Sequence, residues 1–152
     1  MKHHSIRRRQ EGVVLIISLV ILVLITLVGL STIRTTTMEE KMAGNSRDRD
    51  KALQAAEAVV QACLTQLNAG TYGGAVHTPT VAPTAARWEV SGNWLTGSPA
   101  STAINIANAG LAEDPRCLVE ALGASGSYRV TGRAVGGSAD TVVMLQATYS
   151  KE

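Results

Sequence analysis

Hydrophobic and polar positions divide this chain into blocks of different periodicity. An apolar run over residues 12–33 contains no charged side chain and follows a basic leader that includes Arg7, Arg8 and Arg9. A helix of about 20 apolar residues is long enough to cross the hydrocarbon core of a bilayer. The run therefore predicts a membrane-spanning helix close to the first residues of the sequence.

Basic residues predict the orientation of this span. Lys and Arg residues beside a span stay preferentially in the cytoplasm. Four of them precede the span, whereas Arg34 and Lys41 beyond it are accompanied by Glu39 and Glu40. We expect one pass, with the N-terminus cytoplasmic and the C-terminal domain periplasmic. Removal of the whole segment as a secretory signal is disfavoured, because its apolar core is longer than roughly 7–15 residues and no Ala-x-Ala-like site follows.

Helical periodicity continues beyond the span. Apolar side chains recur at helical spacing between residues 51 and 69 and predict a stripe that faces a core. No proline occurs before Pro79, so a single helix over residues 13–67 is possible, roughly 80 Å long at 1.5 Å per residue. Asn68, Ala69 and Gly70 predict its end. The predicted stripe contains Leu53, Ala56, Val60, Cys63, Leu64 and Leu67.

Residues 70–114 lack a clear period. Gly, Pro, Ser and Thr dominate this segment and predict an irregular loop. Within it we expect one short strand over residues 87–90 and a helical turn over residues 104–111. This segment gives the weakest secondary-structure signal in the chain.

Strand signals return after residue 115. An apolar run over residues 117–122 and alternating patterns over 127–135 and 141–149 predict three strands, the last two joined by a turn at 136–140. Such strands form an antiparallel meander with one buried face. The apolar stripe of the helix is the natural cover for that face.

Two cysteines, Cys63 and Cys117, are the only ones in the sequence. Disulfides form and persist in the periplasm, and a single pairing is possible, so we expect a bond between helix and first strand. Buried free thiols are the alternative. The bond could stabilise the fold by about 4 kcal/mol in the chain-entropy description. We expect such support, or packing against neighbouring molecules, because the chain has no Phe and a core of Ala, Val and Leu will be thin.

Charge and composition exclude several function classes. The net charge of +2 comes from the leader, because residues 1–12 carry +3 and the remainder −1; no nucleic-acid partner follows. The alternating charges over residues 47–51 predict a solvated helix surface with local ion pairs. His77 lies in a loop, and Glu113 with Asp114 is weak support for a cation site. No catalytic residue, metal site or cofactor is predicted, and we do not expect an enzyme.

Several motifs together resemble a known family. A short basic leader that ends in Gly12 and continues into an apolar helix resembles a type IV prepilin. Residues 34–50, followed by the sequence Gln54-Ala55-Ala56-Glu57, resemble the PilX-type minor pilins of type IV pili, and so do residues 128–134 and 142–149. The resemblance covers residues 8–67 and 115–149. It implies an α+β, type IV pilin-like fold, in which a long N-terminal membrane-spanning helix packs on a small C-terminal antiparallel β-sheet.

The resemblance also implies a division of the chain and a route of processing. Its parts would be the leader (1–12), the membrane and filament helix (13–33), its amphipathic continuation (34–69), a variable loop region (70–114) and the sheet (115–152). Prepilin peptidase would cut after Gly12, so that Val13 becomes an N-methylated mature terminus. Ile17 occupies the position where major pilins carry Glu, which is thought to neutralise a neighbouring subunit's amine. The absence of this Glu fits a tip or initiating position in the pilus.

Partners and location follow from the same resemblance. They would be other minor and major pilins, prepilin peptidase, the inner-membrane assembly machinery, the lipid bilayer and a tip adhesin. The protein would reside in the bacterial inner membrane and then in the extracellular pilus. Two alternatives stay open: a single-pass periplasmic binding module that uses the loop region 70–112, and a pseudopilin of type II secretion. Processing at Gly12 separates the binding module from the pilin.

Overall fold

The structure is a computed structural model that describes residues 11–81, 84–107, 109–123 and 126–150. Residues 1–10 of the basic leader, which carry the predicted orientation signal, lie outside the described residues. The chain divides into two compact units between Gly44 and Asn45. Each unit is described by itself below.

One helix, α1, spans Glu11–Ala69 without interruption. The predicted continuity of the helix is therefore confirmed. Its end has the hydrogen-bond pattern of a Schellman motif, because the amide of Thr71 donates to Gln66 O at 2.9 Å and that of Gly70 to Leu67 O at 3.2 Å. Gly70 has a φ of +69°, a left-handed conformation that glycine adopts without steric cost.

Among the described residues, five strands form one mixed sheet, where the sequence predicted three antiparallel strands. The three long strands are an antiparallel meander in the predicted places, with Cys117 opposite Gly132 and Gly132 opposite Leu145. Two strands of two residues each, both from the loop region, pair with the first of these long strands, one in parallel and one antiparallel. The strands are β1 (Val76–His77), β2 (Thr102–Ala103), β3 (Arg116–Ala121), β4 (Ser127–Val135) and β5 (Val142–Ser150), in the order β1-β3-β4-β5, with β2 also paired to β3.

Two further predictions for the loop region are wrong. The strand expected over residues 87–90 is a 3₁₀ turn, Arg87–Glu89, and a second turn, Ser91–Trp94, follows it. The carboxylate of Glu89 accepts a bond from the amide of Ala86 at 2.9 Å, which satisfies a donor at the start of the turn. The described residues between 104 and 111 contain no helix. Instead, Ile104 donates to Pro115 O at 2.9 Å and prolongs the β2–β3 pairing.

Small side chains of α1 pack against β3 and β4. The buried stripe contains Ala52, Ala55, Ala56, Val59, Val60 and Cys63, all at most 8% exposed. A Cβ on Gly132 would lie 2.5 Å from Val60 Cγ2 and 3.0 Å from Ala56 O, so glycine permits the close approach of helix and sheet. Leu53, predicted in the core, is 38% exposed. The prediction that Leu53 is buried is wrong. The helix–sheet interface has room only for small side chains, so α1 turns its alanines toward the sheet and leaves Leu53 outside.

The opposite face of the sheet is buried as well, contrary to the predicted single buried face. Leu118, Glu120 and Thr131 on this face are fully buried. The loop region covers them: the guanidinium of Arg116 donates to Ser101 Oγ and Ser101 O, both at 2.8 Å. The loop region thus forms a layer over the sheet, so the fold consists of helix, sheet and loop layers.

Candidate functional site

The first unit exposes an apolar helix surface. Large hydrophobic side chains between residues 13 and 33 are 46–68% exposed, and none of the apolar 18-residue window is buried. The helix is long and apolar enough to cross a bilayer. Exposure of so many adjacent aliphatic side chains to water would be unfavourable. The surface therefore requires lipid or another apolar helix as its environment.

Three hydroxyl groups in this segment bond to the helix itself. Thr26 Oγ1 donates to Leu22 O at 2.6 Å, and Thr32 Oγ1 donates to Val28 O at 3.1 Å. Ser18 Oγ makes a similar bond at 2.8 Å to Leu15 O. Such local bonds satisfy a polar group without a partner from outside the helix, which makes these residues compatible with an apolar environment.

The predicted processing junction lies in the first turn of α1. A Cβ on Gly12 would meet no atom within 4 Å, and Val13 is 56% exposed. Ile17 lies one helical turn further on and is exposed too. The three positions share the exposed first segment of the helix. Their roles in cleavage, methylation and docking stay predictions.

A disulfide joins Cys63 of α1 to Cys117 of β3, as expected from the sequence. The two Cα atoms are 6.7 Å apart, and both residues are fully buried within a cluster that includes Val59, Val119 and Val130. The bond links the helix to the middle of the sheet across 54 positions of sequence. Such a bond is one form of the additional support that a core without large rings was expected to need.

A tyrosine extends this buried cluster toward the loop region. The hydroxyl of Tyr72 lies 3.1 Å from Thr102 Oγ1 and 3.9 Å from the sulfur of Cys117. Burial raises the pKa of Tyr72, and the bond to Thr102 opposes that effect. The phenol therefore connects the disulfide to β2 as a neutral hydrogen-bonding group.

Asp48 anchors the β4–β5 turn and was missed by sequence reasoning. Its carboxylate accepts bonds from the amides of Gly137 and Ser138. A side-chain bond from Thr141, those two amides and the charge of Lys51 lower the pKa of Asp48, although desolvation opposes them. The interpretation of residues 47–51 as a purely solvated surface is therefore wrong at this position. The sequence shows both the acidic residue and the glycine-rich turn, but they are 89 residues apart and no sequence pattern indicates that they are in contact.

Loop residues considered for chemistry have structural contacts. Glu113 forms an ion pair with Arg133 at 3.3 Å, and the carboxylate of Asp114 accepts a bond from the side-chain Nδ2 of Asn105 at 3.1 Å. His77 Nε2 lies 3.0 Å from Ala100 O. No group of three or more metal-ligating side chains occurs among the described residues.

A buried ion pair on the loop-covered face of the sheet was also missed. Glu120 is fully buried and pairs with Arg129 at 2.7 Å, across the β3–β4 ladder. The alternating pattern over residues 127–135 had predicted a single buried face, with Arg129 on the other face. The loop region buries this face of the sheet, which the sequence did not indicate. The only sequence signal for the ion pair was the presence of opposite charges on two neighbouring strands.

Two family models match this chain. The PilX N-terminal model matches residues 11–61, and the model described as type IV pilus assembly protein PilX C-term matches residues 61–151. Among curated proteins and solved structures, nothing matches the chain. The first match covers most of α1, and the second covers the end of the helix together with the loop region and the sheet.

Proposed function

Because this chain belongs to the PilX family of type IV pilus assembly proteins, we propose that it is a minor pilin. It is inserted as a precursor, cut after Gly12, and incorporated into the pilus through its N-terminal helix. The family is structural and its members work with other pilus components. With sister minor pilins, this chain primes assembly or caps the tip.

The observation that carries the proposal is the exposed apolar surface over residues 13–33. Its aliphatic side chains have no cover from the described part of the chain. A subunit that moves from a bilayer into a helical bundle exchanges one apolar environment for another. Small and hydroxyl side chains such as Ser18 and Gly29 suit close helix packing.

Intact mass and N-terminal sequencing of membrane-extracted protein test the processing step. With prepilin peptidase present, the chain should begin at a Val13 that carries one added methyl group. Without the peptidase, residues 1–12 should remain. Gly12→Val places a branched side chain beside the cut and should block cleavage, whereas Gly29→Val, also at an open helix position, should be processed normally. A chain that keeps residues 1–12 in the presence of the peptidase would refute the minor pilin.

Ile17 supports the tip or initiating position within this proposal. A carboxylate in an apolar environment costs about 2.5–3.5 kcal/mol on insertion scales without a partner. Ile17 avoids this cost and lacks the charge that would pair with a neighbour's terminal amine. Ile17→Glu should still be processed but should change which sister pilins co-purify with the chain. Ile16→Glu, about 100° away around the helix, serves as the control, and identical co-purification of wild type and Ile17→Glu would refute the tip assignment.

A permanently anchored binding module is the second candidate. A groove of about 290 Å³ at the surface of the loop region favours it. The groove combines the apolar surfaces of Trp94, Leu95 and Met144 with the charges of Glu89, Glu113 and Arg133. Such a module needs no cut at Gly12, so the processing experiment separates the two candidates.

A type II secretion pseudopilin would also be cut after Gly12. A deletion strain separates it from the minor pilin, because loss of pili indicates the minor pilin and loss of secretion indicates the pseudopilin.

A further inference from the structure

The two edges of the sheet differ in their protection. At one edge, β3 is covered by two strands of only two residues each, β1 and β2. At the other edge lies β5, nine residues long, which pairs only with β4 among the described residues. Short edge strands are a common way to prevent unwanted strand pairing. The β5 edge has no such protection.

The composition of β5 increases this difference. Over Val142–Ser150 the strand contains no charge, no proline and no glycine. Its register with β4 runs one to one from Val142 opposite Val135 to Ser150 opposite Ser127, without a bulge. Charges, prolines and bulges are the other features that protect edge strands from pairing. A long edge that lacks all three is suited to accept another strand.

The ladder geometry identifies which backbone groups are available. Gly136 donates to Thr141 O at 2.8 Å, immediately beyond the Val135–Val142 register pair. Gly136 and Thr141 are therefore a hydrogen-bonded pair. Because hydrogen-bonded and non-hydrogen-bonded pairs alternate in an antiparallel ladder, Val143, Leu145 and every second residue after them direct their backbone groups toward β4. The remaining residues direct their N–H and C=O groups outward; among them are Met144, Gln146 and Thr148.

A groove runs beside this edge on the helix face of the sheet. It has a volume of about 640 Å³ and contains mainly apolar side chains from α1 and β5. Glu57 is the single charged residue among its described lining residues. A strand added to β5 would direct alternate side chains into this groove. The complete lining is Gln54, Glu57, Ala58, Val60, Gln61, Leu64, Leu145, Gln146 and Ala147.

We propose that the β5 edge and this groove bind an extended segment of another protein, which pairs as an additional strand. Its groove-facing residues are apolar except for one Lys or Arg opposite Glu57. A second copy of this chain is a poorer occupant. Antiparallel self-pairing centred on Gln146 would bring the Glu57 carboxylates of both copies toward the same two-fold axis, and like charges there repel. The proposal is independent of whether the chain enters a filament.

A designed peptide tests the proposal on the full-length chain in lipid nanodiscs with the disulfide intact. The probe is a nine-residue peptide of alternating threonine and valine in which one central valine is replaced by lysine. Fluorescence anisotropy should show saturable binding to the wild type. A peptide with alternate amides N-methylated cannot complete the ladder and should bind at least tenfold more weakly. Equal binding of the two peptides would overturn the proposal without any change to the protein.

Two variants of the chain examine the edge and the charge separately. Thr148→Pro removes an outward N–H without loss of a bond to β4 and should weaken binding at least tenfold, whereas Thr148→Ala should not. Glu57→Gln should abolish the preference for the lysine peptide over its glutamate counterpart while both still bind. Unchanged affinity in Thr148→Pro would refute strand addition, and an unchanged preference in Glu57→Gln would refute the predicted charge of the partner.

Amide hydrogen exchange separates partner binding from self-association. The amides of Met144, Gln146 and Thr148 should exchange at least tenfold more slowly with the peptide than without it. The amides of Val143 and Leu145, already bonded to β4, should change little. Protection of the outward amides that increases with protein concentration in the absence of peptide would identify a second copy as the occupant and would overturn the proposal.

Discussion

Residues 13–33 and residues 52–63 belong to the same helix, yet their side chains have opposite surroundings. The first segment carries large aliphatic side chains that are 46–68% exposed, and the second buries small ones against the sheet. The backbone hydrogen bonds are helical in both. The difference therefore lies in what covers the side chains.

This contrast indicates where each segment obtains its stability. Residues 52–63 gain it within the chain, from Ala and Val packed against Gly132 and from the Cys63–Cys117 bond. Residues 13–33 are exposed and need lipid or another apolar helix as their environment. Changes in the second segment should alter folding of the domain, whereas changes in the first should alter insertion or association.

Loss of the disulfide should produce the largest change on the folding side of this contrast. Replacement of Cys63 and Cys117 by serine should lower the free energy of unfolding by about 4 kcal/mol, because the bond closes a long loop in the unfolded chain. Trp88 and Trp94 both lie outside the first unit, so urea denaturation followed by tryptophan fluorescence reports on the domain. A change below about 1 kcal/mol would mean that the domain does not depend on the bond.

Controls for this prediction separate the bond from the side chains. Dithiothreitol should destabilise the wild type by a similar amount and should leave the double serine variant unchanged. Retention of both proteins in the membrane fraction after carbonate extraction should be equal, because the apolar helix surface is unaltered. Release of the double variant from the membrane would contradict the separation of the two roles.

Two glycine substitutions compare the segments directly. Gly132→Ala introduces a Cβ within 3.0 Å of Val60 and Val59 side-chain atoms and should lower the free energy of unfolding by about 1–3 kcal/mol. Gly29→Ala introduces the same atom where nothing lies within 4 Å. It should leave the tryptophan-detected unfolding of the domain within about 0.5 kcal/mol of the wild type. Equal effects of the two substitutions would refute the tight contact at Gly132.

Local periodicity was sufficient to predict the elements that are long. The continuous helix, its end near Gly70 and the strand over residues 127–135 all agree with the structure. The Cys63–Cys117 pairing followed because only two cysteines are present and the predicted layers bring them together. Gly12, Val13 and Ile17 were identified through resemblance to prepilins, since no local pattern specifies a cleavage site.

Features that depend on distant contacts could not be predicted. Strands β1 and β2 have two residues each, too few to show a period, and exist because β3 offers them hydrogen bonds. Glu120 lies on the face of the sheet that was not expected to be buried, but it is fully buried there. Leu53 was assigned to the core by size and spacing, although the interface selects small side chains. In each case a segment remote in sequence determines the environment.

Asp48 offers a subtler test, because it connects α1, just before residues 52–63, to a turn 89 residues away. Its lowered pKa means that the folded state favours the carboxylate. The resulting stability is present above the ordinary Asp pKa of 3.8 and is lost as the pH falls through the lowered folded-state pKa. Asp48→Asn should therefore reduce the urea midpoint at pH 7, and the gap to the wild type should close toward pH 3. Asp50→Asn, at an exposed position on the same helix, is the matched control; a gap that persists unchanged at pH 3, or an equal effect of Asp50→Asn, would show that the ionised carboxylate does not anchor the turn.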